Sequence, residues 1–158
     1  MEMTAPIIAT ALLLVAAWLD VSKRLLPNWL ALILFLVGIG GALLGSTMEG
    51  AGLNLLHSGI ALAVGFGLFA IGWIGGGDAK TYAALAASFP LAQGFSLLGL
   101  VALCMGVISF FWIVIARWRR RRKRAEGTLP KDQQFAKVPV GLAIAAGGIT
   151  MFWGHLTP

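Results

Sequence analysis

Charged residues are scarce in this chain of 158 residues. Only 11% of the residues are Asp, Glu, Lys or Arg, whereas 59% are hydrophobic, and the mean hydropathy is +0.89. Soluble domains carry about 25% charged residues. The composition therefore excludes an ordinary soluble domain and predicts a polytopic, all-α integral membrane protein.

Cysteine and histidine are also scarce. The single cysteine, Cys104, excludes an internal disulfide and disfavours a cysteine-based zinc site. The two histidines, His57 and His155, lack the His-x-x-x-His spacing of a metal site, and we expect both at the outer membrane interface. We therefore predict no metal and no cofactor.

Six mostly apolar segments are candidates for membrane-spanning helices, each of which needs about 20 residues. The first has Glu2 before it and its basic residues after it, which predicts a retained helix rather than a signal peptide. The fourth is short, and we expect it to be tilted or extended by the glycines before it. The segments cover approximately 5–22, 29–46, 53–74, 79–91, 93–116 and 138–156.

All 12 basic residues fall in three loops that a six-span topology puts on one side of the membrane. They lie at Lys23–Arg24, at Lys80 and within 117–137. The positive-inside rule then predicts six spans in a single domain, 1–158, with both termini extracytoplasmic and a basic cytoplasmic loop at about 117–137.

The basic run 117–124 accounts for most of the net charge of +6. Clustered arginine is typical of nucleic-acid binding. This run abuts a hydrophobic span, however, which favours a topology determinant that rests on anionic lipid head groups. We predict the lipid bilayer, and not nucleic acid, as its partner.

Two aspartates end apolar runs at the predicted cytoplasmic boundary. Asp20 closes the run 7–19, and Asp78 follows Gly75-Gly76-Gly77 after the run 60–74. A carboxylate at the end of a hydrophobic span is costly and marks a candidate functional site. Two neighbouring carboxyl groups share a proton, so one acts as a base on water and the other as an acid toward a peptide carbonyl. Which aspartate is the base stays open.

The residues near each aspartate suit a peptide substrate. The glycine triplet has no side chains, so another backbone can approach Asp78. Pro27 stops the segment that follows Asp20, and Asn28 is the predicted N-cap of the second span. Lys80 either influences the carboxylates electrostatically or anchors the topology.

Each aspartate taken alone also fits a purely interfacial role. Asp20 could pair with Lys23 or Arg24, and Asp78 could pair with Lys80 or cap the fourth span. The combination of two acids at matched depth favours a catalytic site.

These motifs resemble those of the type IV prepilin peptidases, membrane aspartyl proteases with a Gly-x-Gly-Asp motif. Gly75-Gly76-Gly77-Asp78-Ala79-Lys80 resembles the second catalytic motif, and Asp20 followed by Pro27-Asn28 resembles the first. Pro139-Val140-Gly141 is similar to a Pro-aromatic-Gly pattern, with Val140 in the aromatic position. The resemblance implies that Asp20 and Asp78 are the catalytic dyad and that the other motif residues shape the site: Gly75, Gly76, Gly77, Lys80, Pro27, Asn28, Pro139 and Gly141.

The resemblance also implies a substrate and a location. The substrate is a prepilin or pseudopilin with a short basic leader and a hydrophobic helix, cut at the cytoplasmic face of the bacterial inner membrane. Larger members carry a cysteine-bearing insertion between the first two spans and also N-methylate the product. This chain has a short loop there, so we predict peptidase activity without methylation, as in the short enzymes of tight-adherence (Flp) pilus systems. Archaeal preflagellin peptidases are a related alternative.

Two further functions are compatible with the residues alone. A small proton-coupled transporter would use the acids as a proton relay, but its acids would lie nearer mid-membrane, often in inverted repeats. A non-catalytic assembly factor for a pilus or secretion complex would tolerate Asp to Asn at both positions, whereas a peptidase would not.

Overall fold

In the residues that the structure describes, the chain forms a bundle of six α-helices. The computed structural model describes residues 3–23, 26–125 and 138–154, with side chains up to Trp118 in the second range, and this part contains no strand. Much of the predicted basic cytoplasmic loop lies outside the described residues. The helices are α1 Thr4–Lys23, α2 Asn28–Gly45, α3 Met48–Ala70, α4 Gly76–Ala86, α5 Gly94–Ala125 and α6 Val140–Trp153.

Each helix overlaps one of the six predicted segments, with ends that differ by up to nine residues, and the helices differ in length. Three whole helices, α1 to α3, and the segment Leu91–Trp118 are long and apolar enough to cross a membrane. The 11 residues of α4 and the 14 residues of α6 are shorter than a span. The structure thus supports a helical membrane protein, and the count of six crossings stays a prediction.

The short helix α4 lies at the centre, against α2, α3 and α6. Small residues let it approach its neighbours closely. A Cβ at Gly65 of α3 would lie 3.0 Å from the Cβ of Ala79, and a Cβ at Gly38 of α2 would lie 2.7 Å from the Ser88 hydroxyl. Larger residues at these glycines would push α4 away from the bundle.

Polar side chains of α3 bind carbonyls in the last turn of α4 and in the residues directly after it. Ser58 donates to the carbonyl of Ala83 at 2.8 Å, Asn54 donates to Ala87 at 3.1 Å, and His57 Nδ1 donates to Phe89 at 2.9 Å. The last carbonyls of a helix have no intrahelical donor, and in lipid they must be satisfied within the protein. His57 is buried within the protein, at 4% exposure, and its predicted depth at the outer membrane interface stays a prediction.

The long helix α5 lies at the edge of the bundle. It packs against α6 and a short 3-10 turn at Leu91–Gln93. Among its described side chains, Leu97 is the one that is fully buried. Large apolar side chains such as Leu103, Phe110 and Phe111 are exposed, as expected for a helix that faces lipid.

Candidate active site

Asp20 lies in the last turn of α1, where the chain brings it against the start of α6. Its side chain is buried, at 9% exposure. The backbone N–H of Leu142, in the first turn of α6, donates a 3.2 Å hydrogen bond to Oδ2 of Asp20. The first N–H groups of a helix lack intrahelical acceptors and favour a negative charge nearby. The start of α6 therefore stabilises the Asp20 carboxylate.

The contact between Asp20 and the start of α6 gives a physical reason for the Pro-x-Gly pattern of Pro139-Val140-Gly141. Pro139 is the N-cap of α6, with φ −74°, and it is buried. A Cβ at Gly141 would lie 3.0 Å from Cβ, Cγ and Oδ2 of Asp20. Only a residue without a side chain fits there without moving the carboxylate. Val140, between them, faces the same cavity as Asp20.

Asp78 lies in the first turn of α4, and this half-buried carboxylate folds back on the N-cap residue of its own helix. That N-cap is Gly75, whose N–H donates to the Asp78 carboxylate, in the manner of the acidic residue of a capping box. A Cβ at Gly75 would lie 2.7 Å from Oδ2 of Asp78. Of the three glycines in the motif, Gly75 is therefore the one that contacts the Asp78 carboxylate.

The two aspartates line one cavity of about 490 Å³ between the end of α1, the α3–α4 turn, α5 and the start of α6. Burial raises the pKa of Asp78 to about 6, and the nearby Asp20 carboxylate adds to the rise, while the hydrogen bond from Gly75 opposes it. A negative charge on Asp20 therefore favours the protonated form of Asp78. The structure thus brings the two predicted aspartates to one cavity, and their catalytic role stays a prediction.

Gly75 and Pro139 also line this cavity, whereas the other predicted motif residues lie around the dyad and not on the cavity wall. Lys80 donates a 3.1 Å hydrogen bond from Nζ to Oδ1 of Asn28, which ties α4 to the start of α2. A Cβ at Gly77 would lie 3.1 Å from the Cβ of Leu26, next to Pro27. A Cβ at Gly76 would make ordinary contacts with Phe69 at 3.4 Å. The Lys80–Asn28 bond and the close approach of Gly77 to Leu26 hold the start of α2 and the residues just before it against α4.

One local prediction is wrong. The N-cap of α2 is Pro27, with φ −72° and ψ 144°, rather than Asn28. Asn28 is the first residue of the helix, and its amide oxygen accepts a hydrogen bond from Lys80 instead of capping the backbone. The difference arises because the extended backbone of Pro27 already fits the N-cap position.

The remaining wall of the cavity was missed by sequence reasoning. The apolar side chains there come from four separate parts of the chain, and no periodic signal links them. Val21, which follows Asp20, and Trp73 and Ile74, which precede Gly75, could have been found from their position beside the motifs. The residues in question are Val21, Trp73, Ile74, Met105, Trp112 and Val138.

The described residues contain no group of three or more His, Cys, Asp or Glu side chains that could hold a metal ion. The ionisable side chains that line the cavity are those of Asp20 and Asp78. A carboxyl pair of this kind can activate water and polarise a carbonyl group.

Comparison with known families gives one match. The model of the Type IV leader peptidase family matches residues 7–113, which is more than half of the chain and includes both aspartates. The matched range ends before Pro139 and Gly141, so the start of α6 enters the site on structural grounds. Searches among curated proteins and among solved structures gave no match.

Proposed function

This chain belongs to the type IV leader peptidase family, and from that premise we propose that Asp20 and Asp78 are the catalytic dyad of a prepilin leader peptidase. The family is one of proteases, aspartic in type. The single observation that carries the assignment is the shared cavity, to which α1 and α4 each bring one carboxyl group.

The proposed reaction is hydrolysis by general acid–base catalysis. The charged carboxylate takes a proton from water as the water oxygen bonds to the scissile carbonyl carbon. The protonated carboxyl group donates its proton to the carbonyl oxygen, and a tetrahedral intermediate forms. As the C–N bond breaks, the carboxyl group that took the proton from water gives it to the departing amine. A hydroxyl group of the intermediate returns a proton to the other carboxylate, and the carboxylic acid product forms. Each cycle consumes one water molecule and returns the pair to its starting protonation.

We assign the negative charge to Asp20 and the proton to Asp78. Asp20 accepts the N–H of Leu142 at the start of α6, where a helix favours an anion. The pKa of Asp78 is raised to about 6, chiefly by burial. A bound peptide would displace water from the cavity and strengthen the same effect. In this assignment Asp20 is the base and Asp78 is the acid.

The proposed orientation follows from charge. With six crossings, the basic residues Lys23, Lys80 and Arg117 lie on the dyad's side of the bilayer, which the positive-inside rule makes cytoplasmic. Both termini would then be extracytoplasmic, in a bacterial inner membrane. The substrate would be a prepilin or pseudopilin with a basic leader. The connection between Lys23 and Asn28 is short, which supports a peptidase that does not methylate its product.

A cleavage assay tests this function. The purified protein in lipid vesicles is incubated with a cognate prepilin that carries its leader. Mass spectrometry of the product identifies the cleaved bond and the state of the new N-terminus. We expect leader removal, an unmodified amine, and no added methyl group when S-adenosylmethionine is supplied. An intact prepilin would favour the transporter or assembly-factor alternatives, and a methylated product would contradict the peptidase-only form.

A further inference from the structure

The turn between α3 and α4 lines the cavity beside both aspartates. Residues 72–75 face this cavity together with Asp20 and Asp78. This stretch is neither helix nor strand, so no regular ladder of hydrogen bonds satisfies its backbone. Each backbone N–H and carbonyl needs a partner in the protein, in water or in a ligand. Where the backbone groups of this turn find their partners therefore bears on what the cavity binds.

The first half of the turn is bound to α3. The N–H of Trp73 donates to the carbonyl of Leu68, and the N–H of Gly72 donates to the carbonyl of Phe69, both at 2.9 Å. Gly72 has φ +78°, so these two bonds form a Schellman motif, which favours glycine at that position. The backbone of Gly72 and Trp73 is therefore fixed against the end of α3.

The second half of the turn is bound to α4. The N–H of Gly75 donates to the carboxylate of Asp78, and the carbonyl of Gly75 accepts the N–H of Ala79 at 3.1 Å. A Cβ at Gly75 would lie 2.7 Å from Oδ2 of Asp78, so the turn passes directly beside this acid. The turn is thus held at both ends, and the residue in its middle is positioned by its neighbours.

Ile74, the residue in the middle, has neither backbone group paired. Among the hydrogen bonds of the described residues, none uses its N–H or its carbonyl oxygen. Ile74 is half-buried and lines the cavity. Consecutive Cα atoms lie about 3.8 Å apart, which puts these two groups within one residue of the contact between Gly75 and Asp78. Non-helical backbone at membrane depth is tolerated where it lines a cavity, and a ligand in that cavity can then bind both groups.

Building on the proposed peptidase function, we propose that the backbone of Ile74 binds the main chain of the substrate within two residues of the cleaved bond. The N–H of Ile74 donates to a substrate carbonyl, and the carbonyl of Ile74 accepts a substrate N–H. The main-chain groups inside a helix are already paired, so the substrate is extended where it meets Ile74. Main-chain bonds hold an extended peptide whatever its side chains are, and here they position the scissile carbonyl beside Asp78.

Hydrogen exchange of the Ile74 N–H tests the proposal without any change to the protein. The probe is a prepilin-derived peptide whose scissile amide is reduced to a methylene amine, so that it cannot be hydrolysed. Residue-level mass spectrometry compares wild-type protein in lipid vesicles with and without this peptide. The Ile74 N–H should exchange quickly in the free protein and roughly tenfold or more slowly in the complex. The Trp73 N–H, which is already bonded to Leu68, is the control and should change little.

An ester scan of the substrate tests the partner groups. Prepilin-derived peptides carry one ester in place of one amide, at each of the three bonds on either side of the cleaved bond, and each ester removes one N–H donor. The ester that removes the donor to the Ile74 carbonyl should lower kcat/KM by roughly threefold to tenfold, as expected for the loss of one hydrogen bond. Esters at the third bond on either side should match the all-amide peptide.

Two results would overturn this proposal while cleavage of the all-amide peptide upholds the peptidase. One is exchange of the Ile74 N–H at the same rate with and without the bound probe peptide. The other is a flat scan, in which every ester peptide has the kcat/KM of the all-amide peptide. No cleavage of the all-amide peptide by wild-type protein overturns both this proposal and the proposed function.

Discussion

The backbone N–H of Leu142 donates a 3.2 Å hydrogen bond to Oδ2 of Asp20, 122 residues earlier in the chain. The contact benefits both partners, because a first-turn N–H of α6 gains an acceptor and the carboxylate gains a donor. It makes the start of α6 part of the candidate site, although the family match ends at residue 113. The following predictions test this arrangement and the contacts around Asp78.

Gly141→Ala should reduce cleavage more than it reduces stability. Its Cβ would crowd three atoms of Asp20 at 3.0 Å, so the carboxylate must shift by a few tenths of an ångström. Small misplacements of a catalytic group are costly, and we expect kcat/KM to fall by roughly tenfold or more. Gly40→Ala is the control, because a Cβ there meets no atom within 4 Å. Equal activity of the two variants would contradict a role for Gly141 at the dyad.

The three glycines before Asp78 should differ in their tolerance of alanine. Gly75→Ala would place a Cβ 2.7 Å from Oδ2 of Asp78 and displace the carboxylate, so cleavage should fall by roughly tenfold or more. Gly76→Ala would meet only the Phe69 ring at 3.4 Å and should stay near wild type, and Gly77→Ala, crowded by Leu26, should be intermediate. Cleavage rates of the three variants test this order of tolerance, and thermal unfolding checks that each variant is folded. A Gly76→Ala variant as impaired as Gly75→Ala would contradict it.

Lys80 should act through its hydrogen bond to Asn28 rather than through its charge on the dyad. An exposed hydrogen bond of this kind contributes about 0.5–1.5 kcal/mol. Lys80→Met and Asn28→Ala should therefore each lower stability slightly and alike, and the double variant should resemble either single one. Thermal unfolding of all three variants measures the coupling. A loss of kcat/KM in Lys80→Met that far exceeds the loss in Asn28→Ala would indicate a direct electrostatic role.

The protonation of Asp78 should respond to Asp20. The chain contains three aspartates, Asp20, Asp78 and Asp132, so ¹³C NMR of aspartate-labelled protein in micelles gives few carboxyl signals, which Asn variants assign. The pKa of Asp78 should lie near 6. In Asp20→Asn it should fall, because the repulsion from the neighbouring charge is lost, yet stay above 3.8 because burial persists. An unchanged titration of Asp78 in that variant would show that the two groups are not coupled.

The helices themselves could be predicted from the sequence, since long apolar runs separated by Gly, Pro and basic residues determine them. One difference concerns α4, expected at 79–91 and observed at Gly76–Ala86. Gly75 serves as its N-cap, which moves the start into the glycine triplet. Its end depends on Asn54, His57 and Ser58 of α3. Their spacing on one helical face was a signal for polar contact between helices, but it does not identify the partner.

The site was predictable where the motifs are local and not where the fold brings distant parts together. Asp20 and Asp78 stand out because each ends an apolar run. The contact of Leu142 with Asp20 and the presence of Trp112 on the cavity wall depend on how α6 packs against α1 and α5. All three of these helices are apolar on most faces, so hydrophobic periodicity does not reveal which side of each helix faces inward.

Cleavage of a leader-bearing prepilin by Asp20→Asn and Asp78→Asn tests the central claim most directly. Each variant is compared with wild-type protein and with Asp132→Asn in membranes, and expression and insertion are measured in parallel. We expect wild type and Asp132→Asn to remove the leader, and each dyad variant to be inert although properly inserted, because neither carboxyl group can replace the other. Normal cleavage by Asp20→Asn or by Asp78→Asn would contradict the account, since that aspartate would then be dispensable for the reaction.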